Sequence, residues 1–230
     1  MNLSDRRTFR RQVAGAAMIV APLVFVIAEV LHASFRTEAA AQLTAVADNT
    51  GRWYAAHSLV LLSLALAVPA FFGLVHLLGT GRAVLGHLSL VAFIPGLVAV
   101  AAIVGMELVL WQMAQPEANR TEMIALAERL NESAGVVGVF LVALLFPLAW
   151  LLVGIGLYRA RIVPSWAAVL IALSQPIGFV GELAEAPKAL AVSAQIAFAI
   201  GLIPVGIRVL RQSDAEWESE RRTEPTTSTV

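Results

Sequence analysis

The sequence predicts an all-α fold, a six-helix transmembrane bundle with both termini cytoplasmic, and three observations carry that prediction. Of 230 residues, 59% are hydrophobic and 14% are charged, against about 25% charged in an ordinary soluble domain. The apolar residues gather into six runs, each near the roughly 20 residues that one bilayer crossing requires. The basic residues gather at alternate ends of those runs. A soluble chain of this length cannot bury so much apolar surface beneath a polar exterior. The composition, with a mean hydropathy of +0.79, therefore argues against a water-soluble enzyme, a disordered chain and a nucleic-acid binder.

Residues 1–12 read as a basic cytoplasmic N-terminus, DRRTFRR at its centre. Arg6-Arg7-Thr8-Phe9 has the shape of a twin-arginine signal. The apolar run behind it is longer than a signal core and lacks a small-x-small cleavage site. Arg6, Arg7, Arg10 and Arg11 therefore read as the anchor of a first span over 13–33. The segment 37–48 carries Ala39, Leu43 and Val46 at helical spacing. The second span covers 54–78, the turn Gly79-Thr80-Gly81-Arg82 follows, and the third span covers 84–113. Segment 121–133 places Met123, Leu126, Ala127 and Leu130 on one stripe. Both long segments read either as helices lying at the membrane interface or as plain capping loops.

The fourth span runs over 134–158, and Arg159, Arg161 and Pro164 turn the chain into the fifth, 165–183. Pro187 separates it from the sixth, 188–209, which closes a membrane domain of 13–211. The tail 212–230 is polar and Thr-rich and reads as disordered cytoplasmic sequence. With the N-terminus inside, the inner segments hold eleven of the sixteen Lys and Arg residues. That bias places both ends in the cytoplasm. The Arg-rich, Lys-poor composition with abundant Ala, Val, Leu and Gly has the look of a GC-rich bacterial genome, and on that impression the membrane expected is a bacterial inner membrane. Net charge is zero and there is no cysteine. No global field steers charged partners, and thiolate and disulfide chemistry are excluded.

Ionisable groups inside hydrocarbon are costly, so each is a functional candidate. Glu29, His32, His57, Glu107, Glu182, Glu185 and Lys188 all fall toward the outer side. Glu29-x-x-His32 faces one way on its helix and matches the unit used in carboxylate-bridged metal sites of helical bundles. Glu29, His32, His57 and Glu107 are the candidate ligands of a divalent metal, Zn, Mn or Fe. Interhelical hydrogen bonding, with glutamate neutral or paired to histidine or Lys188, explains the same residues without a metal. Glu107 and His57 are the candidate catalytic acid and base. Trp111, one turn after Glu107, reads as the aromatic wall of a pocket or as part of an outer aromatic belt with Trp53 and Tyr54. Glu29, Trp111, Glu182 and Gln195 are the candidate ligand-binding residues.

Two histidine pairs, His32 with His57 and His76 with His87, allow a less favoured haem reading. His76 and His87 also fit the inner headgroup region, with Trp150 and Trp166 as the inner belt. Lys188, beside Glu185 at a helix start, reads as half of a solvated ion pair. Ser174-Gln175-Pro176 with Gly178 and Gly181 makes the fifth span irregular, by packing or by a break at a binding site. No nucleotide-binding, zinc-protease or serine-hydrolase motif occurs.

Four strings together resemble a group of actinobacterial six-helix membrane proteins of unknown function. They are GRWYAAH (51–57), GMELVLWQMA (105–114), ERLNESAGV (128–136) and RIVPSWAAVL (161–170). The last also resembles a wider bacterial six-helix family in which an Ile/Val-Pro-x-Trp element opens the fifth helix. The resemblance implies six helices and carries no activity. The residues favour an outward-facing Glu/His pocket for a small ligand, a metal ion or protons. The alternative is a membrane-embedded acid–base enzyme acting on a lipid or isoprenoid, and the third reading is a small-molecule or proton-coupled transporter. The partners expected are the bilayer and a hydrophobic small molecule or lipid, without nucleic acid.

Overall fold

A computed structural model describes residues 5–220. Its helices are α1 (Arg6–Leu31), α2 (Ala39–Ala47), α3 (Thr50–Leu78), α4 (Ala83–Met113), α5 (Arg120–Asn131), α6 (Ala134–Ala143), α7 (Leu145–Ala160), α8 (Ser165–Leu183), α9 (Lys188–Arg211) and α10 (Asp214–Glu220). No strand occurs among the described residues. Six helical units are long and apolar enough to cross a membrane: α1, α3, α4, α6 with α7, α8 and α9.

The caps explain where the elements begin. The Asp5 carboxylate accepts from the Arg7 amide and opens α1 well before the apolar run. Glu38, Asn119 and Ser133 cap α2, α5 and α6 in the same way. The two long connections are therefore helical. Gly79 ends α3 at φ 55°, a conformation that costs glycine little. The fourth span is one crossing with a break at Leu144. Pro147 causes it: the ring removes an amide hydrogen and clashes with the carbonyl four residues back, at Ala143.

The spans form a closed ring in chain order. α1 packs on α3, α3 on α4, α4 on α7, α7 on α8, α8 on α9, and α9 returns to α1. This up-and-down order puts the chain ends on one side, the terminal end, and α2 and α5 on the other, the capped end. Gly96 permits a close approach in the ring. A Cβ there would lie 2.3 Å from the Phe146 amide nitrogen, so α4 and α7 touch backbone to backbone.

Aromatic rings fill the terminal half of the interior. Phe71 and Phe93 stack at 3.9 Å, and Trp150 meets Phe71 and Phe198 edge-on at 5.0 and 4.7 Å. Trp150, expected in the inner belt, is thus core, 1% exposed. Trp166 is 51% exposed, as a belt residue is. A second apolar cluster seals the capped end, where Leu43 and Val46 of α2 and Ala127 of α5 close over Trp53 and Met113.

Residues 214–220, expected to be disordered, form α10, while 221–230 lie outside the described residues. Ser213 and Glu216 cap each other reciprocally, amide to side chain at 2.7 and 3.2 Å. Trp217 is buried and stacks on His76 at 4.1 Å. Asp214 accepts from Arg11 Nε at 2.7 Å and Thr8 Oγ1 at 2.6 Å. Burial of one large aromatic and a partly buried guanidinium–carboxylate contact outweigh the polar composition that suggested disorder.

Candidate functional site

The capped half of the ring holds a partly open cavity of about 180 Å³. Its walls include Glu29 from α1, His32 just after it, His57 from α3, Glu107 from α4, Glu182 from α8 and Gln195 from α9. Phe25, Phe35, Phe140, Phe146 and Phe179 are the aromatic part of a largely apolar lining. The sequence reading thus placed five of its ionisable candidates in one space. Gln175, which it assigned to no site, donates from Nε2 to Gln195 Oε1 at 3.0 Å across that space.

His32, His57 and Glu107 converge within it. One ligand atom from each lies within 4.8 Å of the others. His57 Nε2 is 2.9 Å from Glu107 Oε2 and 3.3 Å from His32 Nε2. His57 is 1% exposed. Its other ring nitrogen, Nδ1, lies 2.7 Å from the Trp53 carbonyl one turn earlier. A carbonyl only accepts, so Nδ1 carries a hydrogen and donates it. In the neutral ring, Nε2 then presents a lone pair to a carboxylate oxygen and a second imidazole. That lone pair is satisfied by a hydrogen on Glu107 or on His32 Nε2, by a proton on His57 Nε2 itself, or by a metal ion shared among the three groups.

The spacing suits a metal. Tetrahedral ligands at about 2.0–2.1 Å from zinc stand about 3.3 Å apart. Two of the three separations, 2.9 and 3.3 Å, match this spacing, while the three atoms together span up to 4.8 Å, so His32 and Glu107 would draw closer around an ion. Two imidazoles and one carboxylate are also the donor set of open catalytic zinc sites and of non-haem iron sites. A backbone carbonyl holding the non-ligating Nδ1–H is the usual outer partner of a metal-bound histidine. Trp53 does further work. Its Nε1–H donates to the Glu107 carbonyl at 2.8 Å, tying α3 to α4 beside the site. Its ring packs on His57 and His32, with centroids 4.3 and 5.1 Å away. Trp53 is therefore core and not belt. The i, i+4 spacing of Trp53 and His57 was its visible signal.

The remaining candidates separate from the triad. Glu29 lines the cavity but is engaged by Lys188, which also lies 3.7 Å from Glu182. His32 sits at the extended C-cap of α1, with ψ 135°, so helical i, i+3 geometry does not bring it together with Glu29. Lys188 therefore pairs inward and not with Glu185. Glu185 instead accepts from the Thr37 amide and hydroxyl at 2.8 and 2.6 Å and lies 3.7 Å from Arg36. Those hydrogen bonds, with the nearby guanidinium, hold the Glu185 carboxyl below its ordinary value. Trp111 does not line the cavity and packs on Tyr54 at 5.1 Å. For haem, the 3.3 Å between the two Nε2 atoms leaves no slot for a macrocycle, and His76 is stacked on Trp217.

α8 is continuous through Pro176, and its glycines serve packing: a Cβ on Gly178 would meet the Gln195 side chain at 3.3 Å. No protein-family model, curated protein or solved structure matches the chain.

Proposed function

We propose that this is a membrane-embedded metal-binding protein whose centre is His32, His57 and Glu107, with an open coordination position toward the cavity. The observation that carries the reading is the convergence of three ligand atoms within 4.8 Å around a histidine whose tautomer is fixed. Glu29 and Glu182, both contacted by Lys188, supply further polar groups to the cavity wall, and a small ligand binds beside the triad. The positive-inside bias of the sequence favours cytoplasmic termini, so the cavity faces outward in a bacterial inner membrane. His57 and Glu107 fall within the strings that resemble uncharacterised actinobacterial six-helix proteins, a family placement we also propose.

The direct 2.9 Å contact of His57 Nε2 with Glu107 Oε2 supports a second reading, a metal-free acid–base pair acting on a lipid or isoprenoid. Transport has less support. Among the described residues, the terminal half of the ring is filled largely by Phe71, Phe93, Trp150 and Phe198, beside which Ser63 and Gln175 are the only polar residues lining a small pocket.

Metal analysis of the detergent-purified full chain tests the reading. One equivalent of Zn, Mn or Fe per chain is expected, lost in His57→Ala and kept in Glu29→Gln. A chain that stays metal-free after incubation with all three ions overturns it and leaves the acid–base pair.

A further inference from the structure

The ring of spans is not equally tight along its height. α7 packs against both α4 and α8, whereas α6 packs on α4 and has no packed interface with α8 among the described residues. The break at Leu144 is the cause, because it lets α6 follow α4 while α7 continues the ring. α6 accordingly buries only Ala143. The side chains flanking the gap are apolar and open: Val137 and Leu141 on α6 are 48% and 62% exposed, and Val180 on α8 is 62% exposed. On spans of this hydropathy such faces meet acyl chains. Just inside the gap, Phe140 and Phe179 line the cavity.

The size and charge of the cavity narrow its occupant. At about 180 Å³ it is smaller than the roughly 300–1,000 Å³ that encloses a drug-sized ligand. It holds a head and a few carbons, and the rest of a long molecule must lie in the gap. Formally, Glu29, Glu107 and Glu182 carry three negative charges against one positive charge on Lys188. A divalent ion on the triad brings the sum to zero. A charged head would then enter without a counter-charge, which is expensive in a water-poor space.

We propose that the cavity is filled from the bilayer through the gap between α6 and α8. Its occupant is a long-chain amphiphile with an uncharged carbonyl head, whose oxygen takes the open position on the metal. The head-group assignment rests on the metal centre proposed above, and the route of entry does not.

The test uses the full chain in phosphatidylcholine vesicles, with a hexadecanamide probe carrying a photoreactive diazirine midway along its chain. Saturable labelling is expected on the peptides containing Phe140 and Phe179, competed by plain hexadecanamide. Labelling confined to outward residues of other spans, such as Val169 and Ile200, overturns the route. Narrowing the gap with Leu141→Trp and Val180→Trp, residues outside the cavity lining, is expected to weaken labelling about tenfold with metal content unchanged. Undiminished labelling of a folded, metal-loaded double variant also overturns the route. Hexadecanoate and hexadecyltrimethylammonium probes of the same design are expected to label at least about tenfold less well. Equal labelling by either overturns the uncharged head. Metal content is read separately on every sample, so a metal-free protein labelled through the gap refutes the metal centre and keeps the route.

Discussion

Gly96→Ala adds a single methyl group where α4 crosses α7, and the structure fixes what that methyl meets. The new Cβ would stand 2.3 Å from the Phe146 amide nitrogen and 2.7 Å from the Leu145 carbonyl carbon and the Phe146 Cα. All three are backbone atoms, so no rotamer change relieves the clash and the two helices must part. Overpacking of a tight core costs about 1–3 kcal/mol, and a backbone obstacle places this site at the upper end. Replacing glycine by alanine in a helix otherwise gains about 1 kcal/mol, which leaves about 2 kcal/mol of net destabilisation. At roughly 2–4 °C per kcal/mol for a chain of this size, thermal unfolding in detergent shifts down by about 4–8 °C. Gly105→Ala, on the same helix with nothing within 4 Å, is the control and shifts unfolding upward or not at all. The clash also pushes on Phe146 and Pro147, which line the cavity, so ligand binding falls while metal content holds. If Gly96→Ala unfolds at or above the temperature of the Gly105 variant, the backbone contact does not set the α4–α7 spacing.

Other expectations follow from particular contacts. Glu107→Gln, measured by equilibrium metal binding, loses at least the 10–100-fold in affinity typical of perturbing even an outer partner of a metal site; parental affinity would remove Glu107 from the ligand set. Lys188→Met strands Glu29 and Glu182 in the cavity wall and costs somewhat less than the ~3–5 kcal/mol of breaking a fully buried pair. Adding Glu29→Gln restores part of that loss in thermal unfolding, and failure to restore any would show that the pair is not coupled. The Asp214 carboxyl is held below its ordinary value of 3.8 by the Thr8 hydroxyl and the Arg11 guanidinium. Its folded value is depressed, so its contribution is present above the unfolded value and lost as pH falls through the folded one. Proteolysis between α9 and α10 is therefore constant from neutral pH down to about 4 and accelerates only below it. Acceleration nearer pH 6 would mean that another group holds the tail.

What was legible in the sequence follows from what hydrophobicity encodes. The third and fifth spans match their helices within a residue because a polar turn or proline ends each apolar run. α1 begins earlier than its apolar run because a carboxylate cap at Asp5 extends the helix through polar positions. Depth within a span was also legible, since rise per residue is fixed, and depth alone brought Glu29, His32, His57, Glu107 and Glu182 into one layer, the first and fourth somewhat deeper than the others. Azimuth was not. Nothing in the sequence decides whether Glu29 turns to His32 or to Lys188, because that depends on α1 lying against α9. Trp53, Trp150 and Trp111 show the same limit: tryptophans near span ends suit either a belt or a core, and only neighbouring helices choose. The tail helix was hidden by composition, although Ser213, Glu216 and Trp217 spell a capping box with a hydrophobic anchor.

The closed ring also orders the protein's assembly in time. Membrane insertion delivers the spans from first to last, yet α1 is completed by α9, the last to arrive. Until then the face of α1 around Met18 and Gly15 lacks the surface it packs on, and Glu29 stands in hydrocarbon without Lys188. The carboxylate that helps shape the finished cavity is thus an exposed liability for most of synthesis. Packing of the final span against α1, with Lys188 at its start, is what relieves it.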